Sequence, residues 1–553
     1  MKPRRASTAQ DLGAALGSGL LLALALPVLL PALSPDELFA GGWSEPLALF
    51  GLVPLLDRLR AASPGRCFAL GYLAGLAYFG LALYWLTEVM TTFGHLPMLV
   101  ALPVLLLLVG FLALFWALPL WLARRLELQL GWRSLWSLPL LWVGFELLRS
   151  HVLTGFPWAH VGYTQVRSLW LLQLAALGGV HLVGGLVIFS NAALAAGWGW
   201  LRWRGPRALG GLVTLAGLLL LAGGWAVLRL GGVPAPAEAR RLVAAVVQGN
   251  LDEKAYLRGP AATRWVLERL LRESRAAVER GARLVVWPEG SLPEALPAEG
   301  AELGVAAGLP APLAAELVIG AVGRERGGEA RQWNSAFLLS GQLRAQARYD
   351  KVHLVPFGEY VPLGAILPWE WFVPPGVRFF TPGEEPRPLP AQAGRLGLLI
   401  CYEAIFPELA RAQVGQGAEL LVNITNDSWF GRTSAPWQHL AMSRMRAVEA
   451  GRYLLRAANT GVSAVVDPRG RVLAELGLGL ARTQAERVRA SELEPPGWLS
   501  AEVALLDGRT PYAWLGDLPA WACAAFAAGA WGACALRAWR ARRQARRQAP
   551  LSA

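Results

Sequence analysis

Lysine is almost missing from this chain. Of its 52 basic residues, 49 are arginines and three are lysines, Lys2, Lys254 and Lys351. Arginine keeps its proton and presents a wide planar fork, whereas lysine is a compact point charge that can lose one. A lysine retained at 351 therefore suggests a position where that difference matters. Cysteine is nearly as scarce: Cys67, Cys401, Cys523 and Cys534 are all there are. All but Cys401 fall inside long apolar stretches, which excludes a disulfide framework in the polar part. The six histidines, His95, His151, His160, His181, His353 and His439, show no close ligand spacing. No metal and no cofactor is expected from them, and His353 is read as support for the loop around Lys351. Charged residues make up only 16% of the 553, against 54% hydrophobic, too apolar for an ordinary soluble enzyme. The net charge of +13 is collected in short arginine clusters beside apolar runs. That pattern belongs to membrane orientation, and no nucleic-acid motif is present. Internal repeats and long low-complexity linkers are absent as well.

What is there begins with apolar runs at 11–33, 45–57, 67–90, 97–122, 134–149, 170–200 and 207–229, with a last one at 514–536. A bilayer crossing needs about 20 such residues, so about eight spans are expected. The run at 45–57 is short, and 170–200 is long enough to hold a re-entrant piece. The first run has a cleaved signal peptide as its rival reading; the many spans after it favour an uncleaved helix. Arginines cluster at the N-terminus, at Arg58–Arg66, Arg124–Arg133 and Arg202–Arg207, and in the tail Arg537–Arg547. With seven spans and then an eighth, all of these fall on one side. The positive-inside rule makes that side cytoplasmic and puts the long polar segment outside. The domains expected are a membrane domain at 1–230 with about seven helices, an extracytoplasmic catalytic domain at 231–512, and a C-terminal helix with a basic cytoplasmic tail at 513–553. The location expected is a bacterial cytoplasmic (inner) membrane, crossed many times.

The polar segment alternates strand-like runs (Leu242–Val247, Arg283–Trp287, Leu317–Val322, Ala336–Leu339, Leu396–Ile400, Leu420–Ile424) with helix-like ones such as Ala261–Arg280 and Trp437–Ala450. This argues for a layered α/β sandwich. Three reactive groups each follow a strand: Glu289 after RLVVWP, Lys351 after the alternating Leu343–Asp350, and Cys401 after RLGLLI. Strand ends converge at one sheet edge, so the three can share a site holding a base, an electrostatic stabiliser and a nucleophile. Singly each has an ordinary reading: a core thiol, a helix-start acid, a surface charge. Jointly they point to covalent catalysis.

The motifs WPEG at 287–290, YDKVHLVPFGEYVP at 349–362 and CYEAIFPE at 401–408 resemble the nitrilase superfamily, whose triad is Glu–Lys–Cys. HLVPFGEYVP with Glu359, NITNDSWFG at 423–431 and QHLAMSRMRAVEAGRYLLRAANTG at 438–461 are similar to its membrane branch, the apolipoprotein N-acyltransferase family. Ile405, standing where soluble relatives often carry arginine, points the same way. The GFPW at Gly155–Trp158, with Gly162, Tyr163 and Gln165, resembles that family's membrane part. Two departures stand out. After the QGN of Gln248–Asn250 the family's Lys-Trp pair is replaced by Lys-Ala-Tyr-Leu, with Tyr256 as the candidate aromatic. GGVHLVGGLVIFSNA lacks the usual Tyr-Gly step.

The resemblance implies a multi-span α-helical membrane domain plus an extracytoplasmic nitrilase-like αββα sandwich. It implies acyl transfer from a membrane phospholipid to the α-amine of the diacylglyceryl-modified N-terminal cysteine of an apolipoprotein. Glu289 is then the base, Cys401 the nucleophile, and Lys351 the oxyanion partner, with the Tyr402 N–H beside it. Glu359 and Glu403 are expected as supporting carboxylates, although Glu403 also reads as a structural acceptor at a turn. The partners are the bilayer, the phospholipid donor and the apolipoprotein acceptor, with no nucleic acid and a monomeric enzyme. The apolar run PLGAILPWEWFVPP at 362–375, carrying Trp369, Trp371 and Phe372, is expected to act as a lid or interfacial anchor, or else to pack as a loop. Two alternatives stay open: a membrane-tethered amidase or nitrilase acting on a small amide, and a catalytically dead lipid-binding or transport protein.

Overall fold

The computed structural model describes residues 8–27, 44–203, 209–232, 238–250, 260–292, 295–297, 312–325, 331–362, 379–477 and 497–548. The chain divides into two compact units: Met1–Tyr84, Leu99–Leu228 and Leu515–Ala553 form one, Trp85–Met98 and Arg229–Trp514 the other.

The first unit is helical. Among the described residues five helices are long and apolar enough to cross a membrane: Pro64–Ala82, Met98–Leu130, Ala175–Trp198, Leu209–Gly231 and Leu518–Gln544. Thr8–Leu24 and Ser134–Arg149 are shorter, at 17 and 16 residues. The run expected to span at 45–57 is instead two short helices, Glu45–Phe50 and Val53–Leu59, each with a proline in its first turn. Proline lacks the N–H that continues a helix but is tolerated where a helix begins, so two prolines eight residues apart restart the helix rather than extend it. The long helix Ala175–Trp203 is broken at Gly178 and Gly179. Small residues let the helices approach closely: a Cβ on Gly144 would meet the Cys523 carbonyl oxygen at 2.7 Å, and one on Gly75 the Ala113 Cα at 2.9 Å.

The second unit is built on two sheets. The first runs β13 (Gly497–Ala504), β1 (Arg241–Gln248), β2 (Leu284–Val286), β4 (Glu316–Arg324), β5 (Gln332–Leu339), β6 (Ala345–Asp350), with β3 (Leu296–Pro297) beside β4. The second runs β12 (Val472–Leu476), β11 (Ser463–Val466), β10 (Leu454–Ala458), β9 (Leu420–Thr425), β8 (Gly394–Ile400), β7 (Leu389–Ala391). Alternation along each strand sorts the side chains. Ala244, Val246, Leu284, Val286 and Val318 of one sheet meet Leu396, Leu398, Ile400 and Val422 of the other in a common core. Ala245, Val247, Val285 and Ile319 face the opposite way, onto Val266, Leu267, Leu270 and Leu271 of the helix Pro260–Glu279. The helices Pro407–Gly415 and Ala435–Ala450 link β8 to β9 and β9 to β10, pairs that are parallel and therefore need such crossovers. The result is the αββα layering of a nitrilase-like domain.

The segment Trp85–Met98, whose first residues fall in the run expected to span at 67–90, belongs instead to this second unit, the helix ending at Ala82. Its Trp85 donates to Gln438 Oε1 at 3.3 Å and stacks edge-on to Phe430, while Phe93 lies 4.8 Å from Trp429.

Candidate active site

Glu289, Lys351 and Cys401 come together across the two sheets rather than along the edge of one. Glu289 and Lys351 follow β2 and β6 of the first sheet, and Cys401 follows β8 of the second. The loop carrying Glu289 lies directly on β4. A Cβ at Gly320 would sit 2.6 Å from the Glu289 Cα, so only glycine fits there. Cys401 opens a 3-10 turn, Cys401–Ile405, with φ of +50°, a left-handed conformation unusual for a side-chain-bearing residue. A strained corner at the end of a buried strand lifts Cys401 out of the sheet, and the residue as a whole is partly exposed.

Lys351 is fully buried between two carboxylates. Its Nζ donates to Glu359 Oε1 at 2.8 Å and stands 3.5 Å from Glu289 Oε1. Asn334 Nδ2 donates to both of those oxygens, at 2.7 Å each, and the Asn334 carbonyl accepts from the Lys351 N–H. The second Glu289 oxygen accepts from the Asn426 N–H at 3.0 Å, and Glu359 Oε2 from the Val355 N–H at 2.7 Å. Burial pulls the Lys351 ammonium down, but Glu359 and Glu289 outweigh it and hold it above its ordinary range. Burial raises the Glu289 carboxyl, with Lys351 opposing. Burial likewise pushes the Cys401 thiol up, and the nearby Glu289 charge adds to that while Lys351 opposes it. That direction favours a resting thiol that needs a base over a preformed thiolate.

Glu403 is wholly buried and touches neither Lys351 Nζ nor Glu289. It accepts from the N–H groups of Ile400, Val352 and His353 at 2.8, 2.7 and 3.2 Å, and from the Tyr349 hydroxyl at 2.9 Å. One carboxylate thus ties the residue before the nucleophile to the residues after the lysine. Burial pushes it up to about 7 against the pull of those backbone donors. Tyr402 packs edge-on to Phe406, and the His353 ring lies 3.7 Å from Phe406. Trp369, Trp371, Phe372 and Tyr256 lie outside the described residues.

Sequence reasoning assigned no role to Asn334, Asn426, Asp427, His439 or Arg456, which the fold brings to this site. Asn334 had a faint signal, an amide inside the strand QWNSAFLL where asparagine is disfavoured. Behind the nucleophile, His439 Nε2 lies 3.0 Å from the Cys401 carbonyl oxygen, and its Nδ1 lies 3.1 Å from Asp427 Oδ1. Arg456 Nη2 donates to Asp427 Oδ2 at 2.6 Å. Burial lowers the His439 pKa, and Arg456 adds to that.

The membrane unit has its own buried polar cluster. Among the described residues, Glu146, His160 and His181 bring ligand-type atoms within 4.8 Å of one another. A cation is already supplied there: Arg149 Nη2 is 2.9 Å from His160 Nδ1, and Arg149 Nη1 donates to the Phe156 and Trp158 carbonyls at 2.7 Å each. With Val161 N–H on Glu146 Oε1 and the Tyr78 hydroxyl on the Ala159 carbonyl, both at 2.9 Å, the cluster fixes the GFPW loop by its backbone.

The chain is similar to known proteins along most of its length. The carbon-nitrogen hydrolase family model matches residues 243–488, and the apolipoprotein N-acyltransferase N-terminal domain matches 18–193. The apolipoprotein N-acyltransferase of Geobacter metallireducens is 40% identical over 522 residues, 92% of each chain. That of Azotobacter vinelandii is 36% identical over 513 residues, 89% of this chain and 91% of its own. A solved amidase from Nesterenkonia sp. is 26% identical, covers 50% of this chain and 94% of its own, and superposes with a TM-score of 0.34. A nitrilase-like sandwich, a set of apolar helices, and matches to curated relatives along nearly the whole length lead to one assignment: the chain belongs to the apolipoprotein N-acyltransferase family.

Proposed function

We propose that this enzyme carries an acyl chain from a membrane phospholipid, through a thioester on Cys401, to the N-terminal α-amine of a diacylglyceryl-cysteine apolipoprotein. The observation that carries the reading is the buried Lys351 ammonium held at 2.8 Å from Glu359 and 3.5 Å from Glu289. Such a cation, close enough to Cys401 to act on its charge, suits a developing oxyanion better than it suits fold stability. Glu289 takes the thiol proton as sulfur attacks the donor ester carbonyl. The tetrahedral oxyanion is met by Lys351 and the Tyr402 N–H. Its collapse breaks the ester C–O bond, and Glu289 returns the proton to the departing lysophospholipid oxygen. In the second half-reaction the neutral amine attacks the thioester, Glu289 takes a proton from the nitrogen, the C–S bond breaks as the amide forms, and Glu289 returns that proton to the departing sulfur. Two half-reactions through one covalent intermediate give ping-pong kinetics.

The proposal includes the location: a bacterial inner membrane, with the catalytic unit on the extracytoplasmic face. Incubating purified enzyme with phospholipid and locating the adduct by peptide mass spectrometry tests the chemistry. An acyl group is expected on Cys401, and Cys401→Ser should lose both adduct and transfer while remaining folded. Normal turnover by that variant would remove the covalent reading.

A further inference from the structure

Behind the nucleophile three elements deliver three fully buried polar side chains to one point. Asp427 comes from the turn after β9, His439 from the helix Ala435–Ala450, and Arg456 from β10. Burying a guanidinium, a carboxylate and an imidazole is an expensive way to fill a core, because apolar residues of similar size would serve stability as well or better. What the group touches outside itself offers a reason. His439 Nε2 lies 3.0 Å from the Cys401 carbonyl oxygen. An oxygen there accepts only, so Nε2 carries a proton in either charge state of the ring. When the ring is neutral, Nδ1 accepts from Arg456 Nη2 at 3.2 Å; when it is charged, Nδ1 donates to Asp427. The donation to Cys401 is the constant.

The Cys401 carbonyl is half of a peptide plane whose other half is the Tyr402 N–H. The plane is rigid, and in a trans peptide the two bonds point in opposite directions. Holding the oxygen from behind therefore aims the N–H forward. That N–H also lies in the first turn of the 3-10 helix Cys401–Ile405, where backbone donors have no acceptor within the helix. With φ at +50°, Cys401 stands in a region from which an unsupported residue would relax, turning this same plane. We infer that His439, backed by Asp427 and Arg456, is a positioning residue that locks the Cys401–Tyr402 peptide so that its N–H serves the oxyanion.

This rests on the thioester reading above, and two different reactions of the same thiol separate them. Acylation by a phospholipid ester passes through an oxyanion; alkylation by iodoacetamide is a direct displacement and needs none. Full-length His439→Gln, His439→Asn and His439→Leu would be compared with wild type. Single-turnover acylation would be read with phosphatidylethanolamine–phosphatidylglycerol vesicles, alkylation with iodoacetamide, and both resolved to the Cys401 peptide. A glutamine amide nitrogen falls near the place of Nε2, an asparagine's near that of Nδ1. The Leu and Asn variants should acylate about 100- to 1,000-fold more slowly, the cost of losing an oxyanion donor, while alkylation stays within about threefold. Glutamine should recover acylation to within about tenfold of wild type, leaving a loss near 1.4 kcal/mol or less. If Leu fails to fold, the Gln-against-Asn contrast decides alone. Acylation and alkylation falling together, or Gln performing no better than Asn, would reduce His439 to a packing residue. Wild-type enzyme that alkylates at Cys401 but never acylates there would instead sink the thioester reading itself.

Discussion

Lys351 and His353, two residues apart, are pushed in opposite directions by one environment. Burial disfavours both cations, but only Lys351 has carboxylates close enough to reverse the effect. Lys351→Arg keeps the charge and changes its shape. A guanidinium is wider and planar, and its donors fan out where one ammonium must fit between Glu289 and Glu359. A displacement of about 1 Å costs on the order of 100-fold, so single-turnover thioester formation should fall at least that far with normal membrane insertion. Acylation within a few-fold of wild type would show that Lys351 is one more basic residue. His353 gives a prediction in pH. Burial, with Lys351 nearby, pulls its pKa down to about 4, against about 6.5 unfolded. The unfolded chain therefore takes up the proton first. The neutral ring's contribution is complete above pH 6.5 and is lost as pH falls towards 4. Glu403 acts with the opposite sign, since a carboxyl raised to about 7 binds its proton more tightly in the fold. In detergent, the Tm of wild type minus that of His353→Gln should decline from pH 6.5 to pH 4. A flat difference would mean that the ring is not held neutral.

At the scale of elements, the site depends on two sheets keeping register at one point, and Glu403 is the residue that ties them. Its bonds reach the end of β8 through Ile400 and the residues after β6 through Val352 and His353. Glu403→Gln keeps the shape but turns an amide N–H towards at least one of these donors. A buried donor left unsatisfied costs about 1–3 kcal/mol, so the catalytic unit should melt lower, and acylation should drop more than its stability alone explains. A variant with unchanged melting and turnover would show that the packing of Tyr402 and Phe406 suffices. This tie was legible in part. CYEAIFPE and the strand before it placed Cys401 and Glu403, because a short buried apolar run that ends in reactive residues is a local pattern. Glu289 was legible for the same reason, and Lys351 from the alternating run before it and the scarcity of lysine; the strands β1, β2, β4, β5, β8 and β9 were legible from their own apolar runs. β13 was not: GWLSAEVA has little alternation, and it becomes a strand by pairing with β1 some 250 residues earlier in the chain. Nor was His439, inside a helix buried on nearly every side. Its meaning comes from Asp427, Arg456 and the Cys401 carbonyl, all set by tertiary packing, and no spacing within the helix announces them.

For the whole molecule, the proposal that the chemistry takes place on the extracytoplasmic side turns on one short helix. Ser134–Arg149 has 16 residues, about 24 Å at 1.5 Å per residue, against a hydrocarbon core of about 30 Å. It falls short of the five helices that clearly suffice, yet its residues from Ser137 to Leu147 are buried almost all round, the signature of a helix packed inside a bundle. If it does not cross, the arginines at 124–133 and at 202–207 lie on opposite sides, because only Ala175–Trp203 then separates them. The catalytic unit would share the side of Arg124–Arg133, and the tail after Leu518 would lie opposite. If it crosses, the clusters at 58–66, 124–133 and 202–207 and the tail all share one side, and the catalytic unit takes the other. The positive-inside rule strongly favours the second arrangement. Single cysteines introduced as Arg133→Cys, Arg207→Cys and Arg547→Cys, in a background without Cys67, Cys401, Cys523 and Cys534, would be labelled in intact cells with a membrane-impermeant maleimide. All three should stay unlabelled until the membrane is opened, while a cysteine at the exposed Glu384 on the catalytic unit should label from outside. Labelling of Arg207→Cys or Arg547→Cys from outside, with Arg133→Cys protected, would mean that the chain turns back at Ser134–Arg149. The catalytic unit would then face the cytoplasm, away from the lipoproteins that we propose it modifies.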